Sequence, residues 1–345
     1  MKYLLIDTSN MFFRARHQAH RASDTWTKLG FALHLTFMSA NKVARDIGAD
    51  HVVFALEGRS WRKDVYAPYK ANRAVARGAM SETEAEEDKM FWETYDLLTQ
   101  YLSTKTNCSV IRCATAEADD IIARWVALHP QDEHVIVSSD SDFVQLIAPN
   151  VKLYNGINEH LFAVDGVTDN KGRRLAFTIE SNSKIKVGKP DANFVVPADY
   201  QRWVLFLKCM RGDPGDNVFS AYPGVRVKGT KNQVGLTEAF EDRDRRGYAW
   251  NNLMLQRWTD HESAEHRVLD DYERNRTLID LTAQPDAVKA AVDTAIGEQV
   301  SHKDVGMVGV HFMRFCGKYE LTKLSDQADA MSRWLNSTYS GILDV

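Results

Sequence analysis

Short apolar runs that end in a carboxylate constrain this chain more than any other feature. Tyr3-Leu4-Leu5-Ile6 leads into Asp7, and His51-Val52-Val53-Phe54-Ala55-Leu56 leads into Glu57. Runs this brief are too short for buried helices and suit strands covered on both faces. Cys108 to Cys113 and Val135-Ile136-Val137 repeat the pattern. Helical spacing fills the intervals, at Leu29, Leu33, Phe37 and Ala40, at Met90, Trp92, Leu97, Leu98 and Tyr101, and over Ile121 to Leu128. Strands that alternate with helices predict an α/β fold around a mainly parallel sheet. Such sheets bind ligands at the carboxyl ends of their strands, which is where the acidic residues fall.

Further carboxylates follow the later elements. Glu117, Asp119 and Asp120 open a helix after the third strand, Asp140 and Asp142 follow the fourth, and Asp213 and Asp216 stand in Arg211-Gly212-Asp213-Pro214-Gly215-Asp216-Asn217. Glu117 and Asp120 share a helix face, Asp140 and Asp142 point the same way in extended chain, and Asp213 and Asp216 can converge across a turn. With Asp7 and Glu57 this makes nine carboxylates, a crowd that stays together only around bound positive charge. Hard oxygen ligands without His or Cys suit magnesium, with manganese as a substitute. Two such ions about 3.5–4 Å apart would activate a water and stabilise the leaving oxygen in phosphodiester cleavage. Taken singly, each motif is more often a helix cap or a solvated face; their common location gives the set its meaning. Removing the nine carboxylates from a formal charge of −4 leaves +5, a mildly basic remainder suited to nucleic acid.

A length of 345 residues with 44% hydrophobic content predicts two domains or one with an appendage. Four dispersed cysteines without a C-x-x-C pair exclude a zinc ribbon and a disulfide framework. Asp7 interrupts the first apolar run too early for a signal peptide or a membrane span, so a cytoplasmic protein is expected. Residues 155–198 look irregular and carry Lys171, Arg173, Arg174, Lys184, Lys186 and Lys189, which reads as a basic linker or hairpin insertion. From Pro197 the spacing of Tyr200, Trp203, Val204 and Leu207 turns helical. Arg59, Arg62, Lys63, Lys70, Arg73 and Arg77 form a basic run interleaved with Trp61, Tyr66 and Tyr69. Cations of this kind meet phosphates, and aromatics stack on unpaired bases. Two near-motifs are set aside: His261 and His266 are five residues apart, off one helix face, and Gly224 to Lys231 reads Gly-Thr-Lys where a phosphate loop needs Gly-Lys-Thr.

Three segments carry a family resemblance: Val137-Ser138-Ser139-Asp140-Ser141-Asp142-Phe143-Val144-Gln145-Leu146, Glu117-Ala118-Asp119-Asp120 and Gly212-Asp213-Pro214-Gly215-Asp216-Asn217. They resemble the 5′-nuclease superfamily of flap endonucleases and the 5′-exonuclease domain of bacterial DNA polymerase I. Tyr272 to Asp280 is similar to a C-terminal segment of the T-even phage ribonuclease H. Trp61-Arg62-Lys63-Asp64 with Tyr69-Lys70-Ala71-Asn72-Arg73 is similar to that enzyme and to T-odd phage 5′-exonuclease.

The resemblance implies a PIN-like nuclease domain over residues 1–195, with a helical arch at about 60–105 and the basic insertion at about 155–195. A helical domain holding duplex would occupy 196–345. It implies a monomeric, magnesium-dependent 5′–3′ exonuclease or flap endonuclease of phage replication, acting on DNA 5′ ends, flaps and RNA–DNA hybrids, with ribonuclease H activity and RNA primer removal included. Single-stranded-DNA-binding protein or polymerase machinery would be the protein partners. Asp7, Glu57, Glu117, Asp119 and Asp140 would surround the first metal, Asp142, Asp213 and Asp216 the second, with Asp120 supporting. Arg59, Arg62, Lys63, Tyr69, Lys70, Arg73, Arg226, Lys228 and Lys231 would contact nucleic acid. The chain departs from the family pattern at Glu57, where Asp is usual, and at Tyr222 to Lys231, which replaces the usual glycine-rich helix–hairpin–helix and with it the ground for expecting a backbone-bound potassium ion. The competing reading is a catalytically inactive DNA-structure-binding protein of the same fold. Retention of so many costly acidic positions argues against it.

Overall fold

A computed structural model describes residues 1–18, 24–300 and 303–343. Strand β1 (Lys2–Asp7) lies between β2 (His51–Leu56) and β4 (Glu133–Val137), parallel to both. Strand β3 (Ser109–Arg112) flanks β2 and β5 (Val151–Asn155) flanks β4, again in parallel. Alternation along each strand divides two cores. Leu4, Ile6, Val52, Phe54, Val135 and Val137 face one way, and Tyr3, Leu5, Val53, Ala55 and Ile136 the other. Burial on both faces is what their near-continuous apolar sequence encodes.

Helices α1 (Thr8–Gln18) and α2 (Thr25–Ile47) follow β1, and α3 (Arg62–Val65), α4 (Ala71–Gly78) and α5 (Glu82–Lys105) follow β2. Helix α6 (Ala118–Leu128) joins β3 to β4 on the opposite face. No residue of α4 is buried, whereas the second half of α5 enters the core through Tyr95, Leu98 and Leu102. The exposed part of the expected arch is therefore shorter than the range read from sequence.

Residues 155–198 are not a linker. Strands β6 (His160–Ala163), β7 (Gly166–Thr168), β8 (Arg174–Ile179) and β9 (Ile185–Pro190) continue the sheet antiparallel from β5, so that β9 forms its edge. Phe162, Val167, Leu175 and Phe177 are buried. Arg174, Lys186 and Lys189 broke the apolar runs of β8 and β9, and the brevity of β6 and β7 hid the other two strands.

Helices α7 (Tyr200–Arg211), α8 (Leu236–Glu241), α9 (Tyr248–Met254) and α10 (Val268–Ile279), with the ladder of β10 (Arg257–Thr259) and β11 (Glu265–Arg267), build a further core around Phe206, Met210, Leu236 and Trp250. The chain then returns to the sheet. Helix α11 (Asp286–Val300) covers the α6 face with Val292 and Ile296. Helices α12 (Val308–Lys318), α13 (Thr322–Ser325) and α14 (Ala328–Leu335) bury Phe312, Leu324, Met331 and Leu335 in the core of α2 and α5. A sequence division at 195/196 thus does not separate the cores, because amphipathic spacing shows that a helix has a buried face but not what covers it. Among the described residues no helix is long and apolar enough to cross a membrane.

Phe312 is fully buried and packs edge-on against Phe37 at 5.2 Å. Phe312→Ala is expected to lower stability by about 3–5 kcal/mol and to shift a single unfolding transition followed by near-ultraviolet circular dichroism. A separate early transition for the last helices would contradict the shared core.

Candidate metal and nucleic-acid site

The carboxyl ends of the parallel strands open into a cavity of about 630 Å³ lined by Asp7, Glu57, Glu117, Asp119, Asp140 and Asp142, with Lys63, Lys70, Arg73 and Arg77 across from them. Asp7 ends β1 and accepts hydrogen bonds from Ser138 Oγ (3.0 Å) and the Asn10 amide (3.2 Å). Glu57 leaves β2 beside Gly58, whose amide donates to the Ala116 carbonyl. A Cβ on Gly58 would lie 1.9 Å from the Cys113 carbonyl, so only glycine lets this turn approach the Cys113–Ala116 loop. Glu57 then accepts from the Ala118 amide at 3.2 Å, tying the second strand end to the start of α6. Asp140 accepts from the Asp142 amide at 2.9 Å, which holds that pair at the mouth of the 3-10 turn Ser141–Leu146.

Asp213 and Asp216 do not line the cavity itself; shared cations join them to it. Lys208 of α7 contacts Asp142 and lies 3.1 Å from Asp213. Lys70 contacts Glu117 and lies 3.6 Å from Asp216, and the Tyr69 hydroxyl donates to the same two carboxylates at 3.0 and 3.1 Å. Gly212 turns the chain out of α7 at φ +73, where a Cβ would meet the Val218 carbonyl at 2.2 Å. Sequence reading missed Lys208; the available signal was a lysine inside the apolar run Phe206-Leu207-Lys208-Cys209-Met210.

Asp120 is a structural residue. It is fully buried, and its carboxylate accepts from Arg62 Nη2 (2.9 Å), Trp61 Nε1 (3.0 Å) and Gln284 Nε2 (3.0 Å). Oxygens of Glu117, Asp119 and Asp120 come within 4.8 Å of one another, but those of Asp120 are already engaged. The expected nucleic-acid contacts of Arg62 and Tyr69 are corrected for the same reason. Arg62 is 1% exposed, bonds Glu117, Asp120 and the Leu278 carbonyl, and faces no solvent. Tyr69 is 3% exposed, its ring buried among Cys209, Val218 and Leu278. Arg59 pairs with Asp64, Arg73 is half exposed and pairs with Asp216, and Lys63 stays on the cavity wall. Arg226, Lys228 and Lys231 are exposed on a loop whose Gly229 and Gly235 amides donate to the Glu238 carboxylate.

Charge within the cavity is unevenly compensated. Burial, then Glu57 and Asp140, push Asp7 up to about 7. Burial and Asp140 do the same to Asp142, to about 7, against the pull of Lys208. Burial and Glu117 raise Glu57, and burial with Asp120 and Glu117 raises Asp119 well above the carboxylate range. Glu117 behaves oppositely: burial would raise it, but Lys70 and Arg62 outweigh that and hold it at about 2. A crowd of desolvated oxygen donors that resist ionisation together fits hard divalent cations.

Known proteins resemble this chain in sequence and in fold. Residues 2–172 match the family model of the 5′-3′ exonuclease N-terminal resolvase-like domain. DNA polymerase I of Rhizobium leguminosarum is 27% identical over 252 residues, covering 70% of this chain but only 21% of the polymerase. Flap endonuclease Xni of Shewanella loihica is 26% identical over 243 residues, 69% of this chain and 77% of that protein. A D15 flap endonuclease variant of bacteriophage T5, solved as a pseudo-enzyme–product complex with DNA and metal ions, superposes with a TM-score of 0.56 at 18% identity. That superposition covers 86% of this chain and 98% of the phage protein, and establishes a likeness of fold.

Two outcomes follow from the site. Arg62→Ala leaves Asp120 and Glu117 buried without their partner, so it should cost about 3–5 kcal/mol of stability in urea unfolding. Arg62→Lys should recover only part of this, because an ammonium cannot bridge both carboxylates as the guanidinium fork does. A fully stable Arg62→Ala with weakened DNA binding would return Arg62 to a surface role. The second outcome concerns pH. Folded-state values for Asp7 and Asp142 lie above the ordinary 3.8, so the metal-free fold favours their protonated forms and loses stability as pH rises from about 4 through about 7. A divalent cation bound there would compete with those protons. Its increment in melting temperature should therefore be larger at about pH 8 than at about pH 5.5, and equal increments would contradict the assignment.

Proposed function

Because the chain belongs to the 5′–3′ exonuclease and flap endonuclease superfamily, we propose that it is a magnesium-dependent nuclease that hydrolyses phosphodiesters at DNA 5′ ends and flaps and in RNA–DNA hybrids. Removal of RNA primers in phage replication, in the host cytoplasm, is the setting that suits these substrates. The observation that carries this reading is the gathering of Asp7, Glu57, Glu117, Asp119, Asp140 and Asp142 around one cavity beneath the basic, exposed helix α4.

Asp7, Glu57, Glu117, Asp119 and Asp140 would hold one magnesium ion, and Asp142 with Asp213 and Asp216 a second. Bound there, the ions supply an activated water and charge neutralisation at the leaving oxygen. The chain's own groups do the rest. Lys63 and Arg77 stand on the wall opposite the carboxylates, without an acidic partner among the described residues, where they can draw the 5′ strand in. Lys70 and Arg73 stand at the foot of α4, placed for a phosphate entering the cavity. Lys208 keeps Asp142 and Asp213 together while they carry charge. Arg226, Lys228 and Lys231 would neutralise duplex phosphates without reading bases, which suits recognition of structure.

Asp140→Asn and Asp142→Asn are expected to reduce single-turnover cleavage of a 5′-labelled flap substrate in magnesium by at least about a hundredfold, since each removes a metal-ligand charge. Circular dichroism should show the fold retained. Full cleavage by both variants would remove the cavity from the chemistry, and an inactive wild type that still binds flap DNA would favour a structure-binding protein instead.

A further inference from the structure

The β8–β9 hairpin stands outside the cavity. One face is apolar: Leu175 and Phe177 are buried, and Ile185 and Val187 pack beside them. The alternate positions Arg174, Thr178, Lys184 and Lys186 are exposed, as the twofold repeat of a strand requires. Residues 174–190 contain Arg174, Lys184, Lys186 and Lys189 against the lone acidic Glu180. Elsewhere in this stretch cations are neutralised locally, Arg173 by Asp169 for example. Among the described residues no acidic side chain pairs with Lys184, Lys186 or Lys189.

Lysines on an edge strand can serve merely to block sheet-to-sheet pairing. The position of the hairpin tip argues for more. Arg211, the last residue of α7, donates from Nε to the Ser181 carbonyl (3.1 Å) and from Nη2 to the Val225 carbonyl (2.7 Å). Ile179 packs against the core that contains Val225 and Leu236. One guanidinium thus fastens the tip to the loop bearing Arg226, Lys228 and Lys231, and the next residues in the chain are Gly212 and Asp213. Lys184 stands three residues beyond Ser181, its carbonyl accepting from the Glu180 amide across the turn.

We propose that the β8–β9 hairpin is a second arm for the backbone of duplex nucleic acid, extending with Lys184 and Lys186 the basic track of the Arg226–Lys231 loop. The proposal rests on the nuclease reading above and adds to it a longer duplex footprint. Lys184 and Lys186 are two residues apart, roughly 6.6 Å along a strand. That is about two base steps of one DNA strand at roughly 3.4 Å each, so both can engage the same backbone.

The test uses the full chain with K184Q/K186Q, and with K184E/K186E, which keeps the edge charged and so preserves protection against edge pairing. Binding to a flap duplex is measured in calcium across a salt series. The expected result for K184Q/K186Q is weaker binding and a salt slope flattened by up to about 1.8, two contacts at about 0.9 each. K184E/K186E should bind more weakly still. Melting temperature and single-turnover cleavage at saturating enzyme should match wild type. Wild-type affinity and slope in both variants would overturn the proposal and leave the lysines as edge protection. A wild-type protein that binds no duplex at all would overturn the nuclease reading first, which separates the two failures.

Discussion

The buried Arg62 guanidinium is the interaction on which the arrangement of the site depends. It donates to Asp120 and Glu117 at the start of α6 and to the Leu278 carbonyl at the end of α10. Three segments far apart in sequence therefore meet at one group: the foot of the exposed helices, the acidic helix start and the returning C-terminal chain. An arginine suits this position because its planar fork satisfies several acceptors at once and keeps its charge. Trp61 and Gln284 complete the coordination of Asp120, so no oxygen of that carboxylate is left bare in the interior. Desolvation of such a cluster is costly, and the hydrogen bonds that Arg62 and Asp120 make are what make it tolerable.

With Asp120 fixed, the remaining carboxylates can be sorted by how their charge is met. Glu117 is held ionised by Lys70 and Arg62. Asp213 is likewise lowered: burial acts against it, and Lys208 with the Gly215 and Asp216 amides prevails. Asp7, Glu57, Asp119 and Asp142 are all pushed upward, burial being the main cause. The protein thus supplies cations at two edges of the cavity, with Lys208 against Asp142 and Arg62 near Asp119, and leaves Asp7 and Glu57 without an ion-pair partner among the described residues. That asymmetry distinguishes a cation-binding floor from an ordinary ion-pair network, in which each acid has its own base.

The parallel half of the sheet was legible because strands buried on both faces leave long apolar signatures, and the carboxylates stand at their ends. Asp7, Glu57, Glu117, Asp119, Asp140 and Asp142 were singled out this way, and the fold brings them to one cavity. The strands of residues 160–190 were read only as a linker or hairpin insertion, since Arg174, Lys186 and Lys189 interrupt the apolar positions of β8 and β9, and β6 and β7 are only four and three residues long. Arg62 and Tyr69 were misplaced because a basic–aromatic run looks the same whether it meets a phosphate or an internal acid; the acids that decide the matter are 48 to 58 residues away. Lys208 was passed over for a related reason: a buried lysine announces itself only through partners on other segments, here Asp142, at a separation of 66 residues.

The geometry also couples the exposed helix to the chemistry below it. Asn72 donates to the Gly215 carbonyl, Asn217 to the Pro68 carbonyl, and the Lys70 amide to the Asp216 carbonyl. These three hydrogen bonds tie the foot of α4 to the Asp213–Asn217 turn. The side chain of Asp216 is engaged by Arg73 at 2.7 Å and by Tyr69, and Glu117 by Lys70. Glu117 is thus shared between the helix foot and the cavity, and Asp216 is tied to the same foot beside it. On the proposed nuclease reading, a cation entering the cavity would compete for the oxygens that anchor Lys70 and Arg73, and a phosphate at Lys70 and Arg73 would draw those cations away from Glu117 and Asp216, so that each would lower the other's cost of entry.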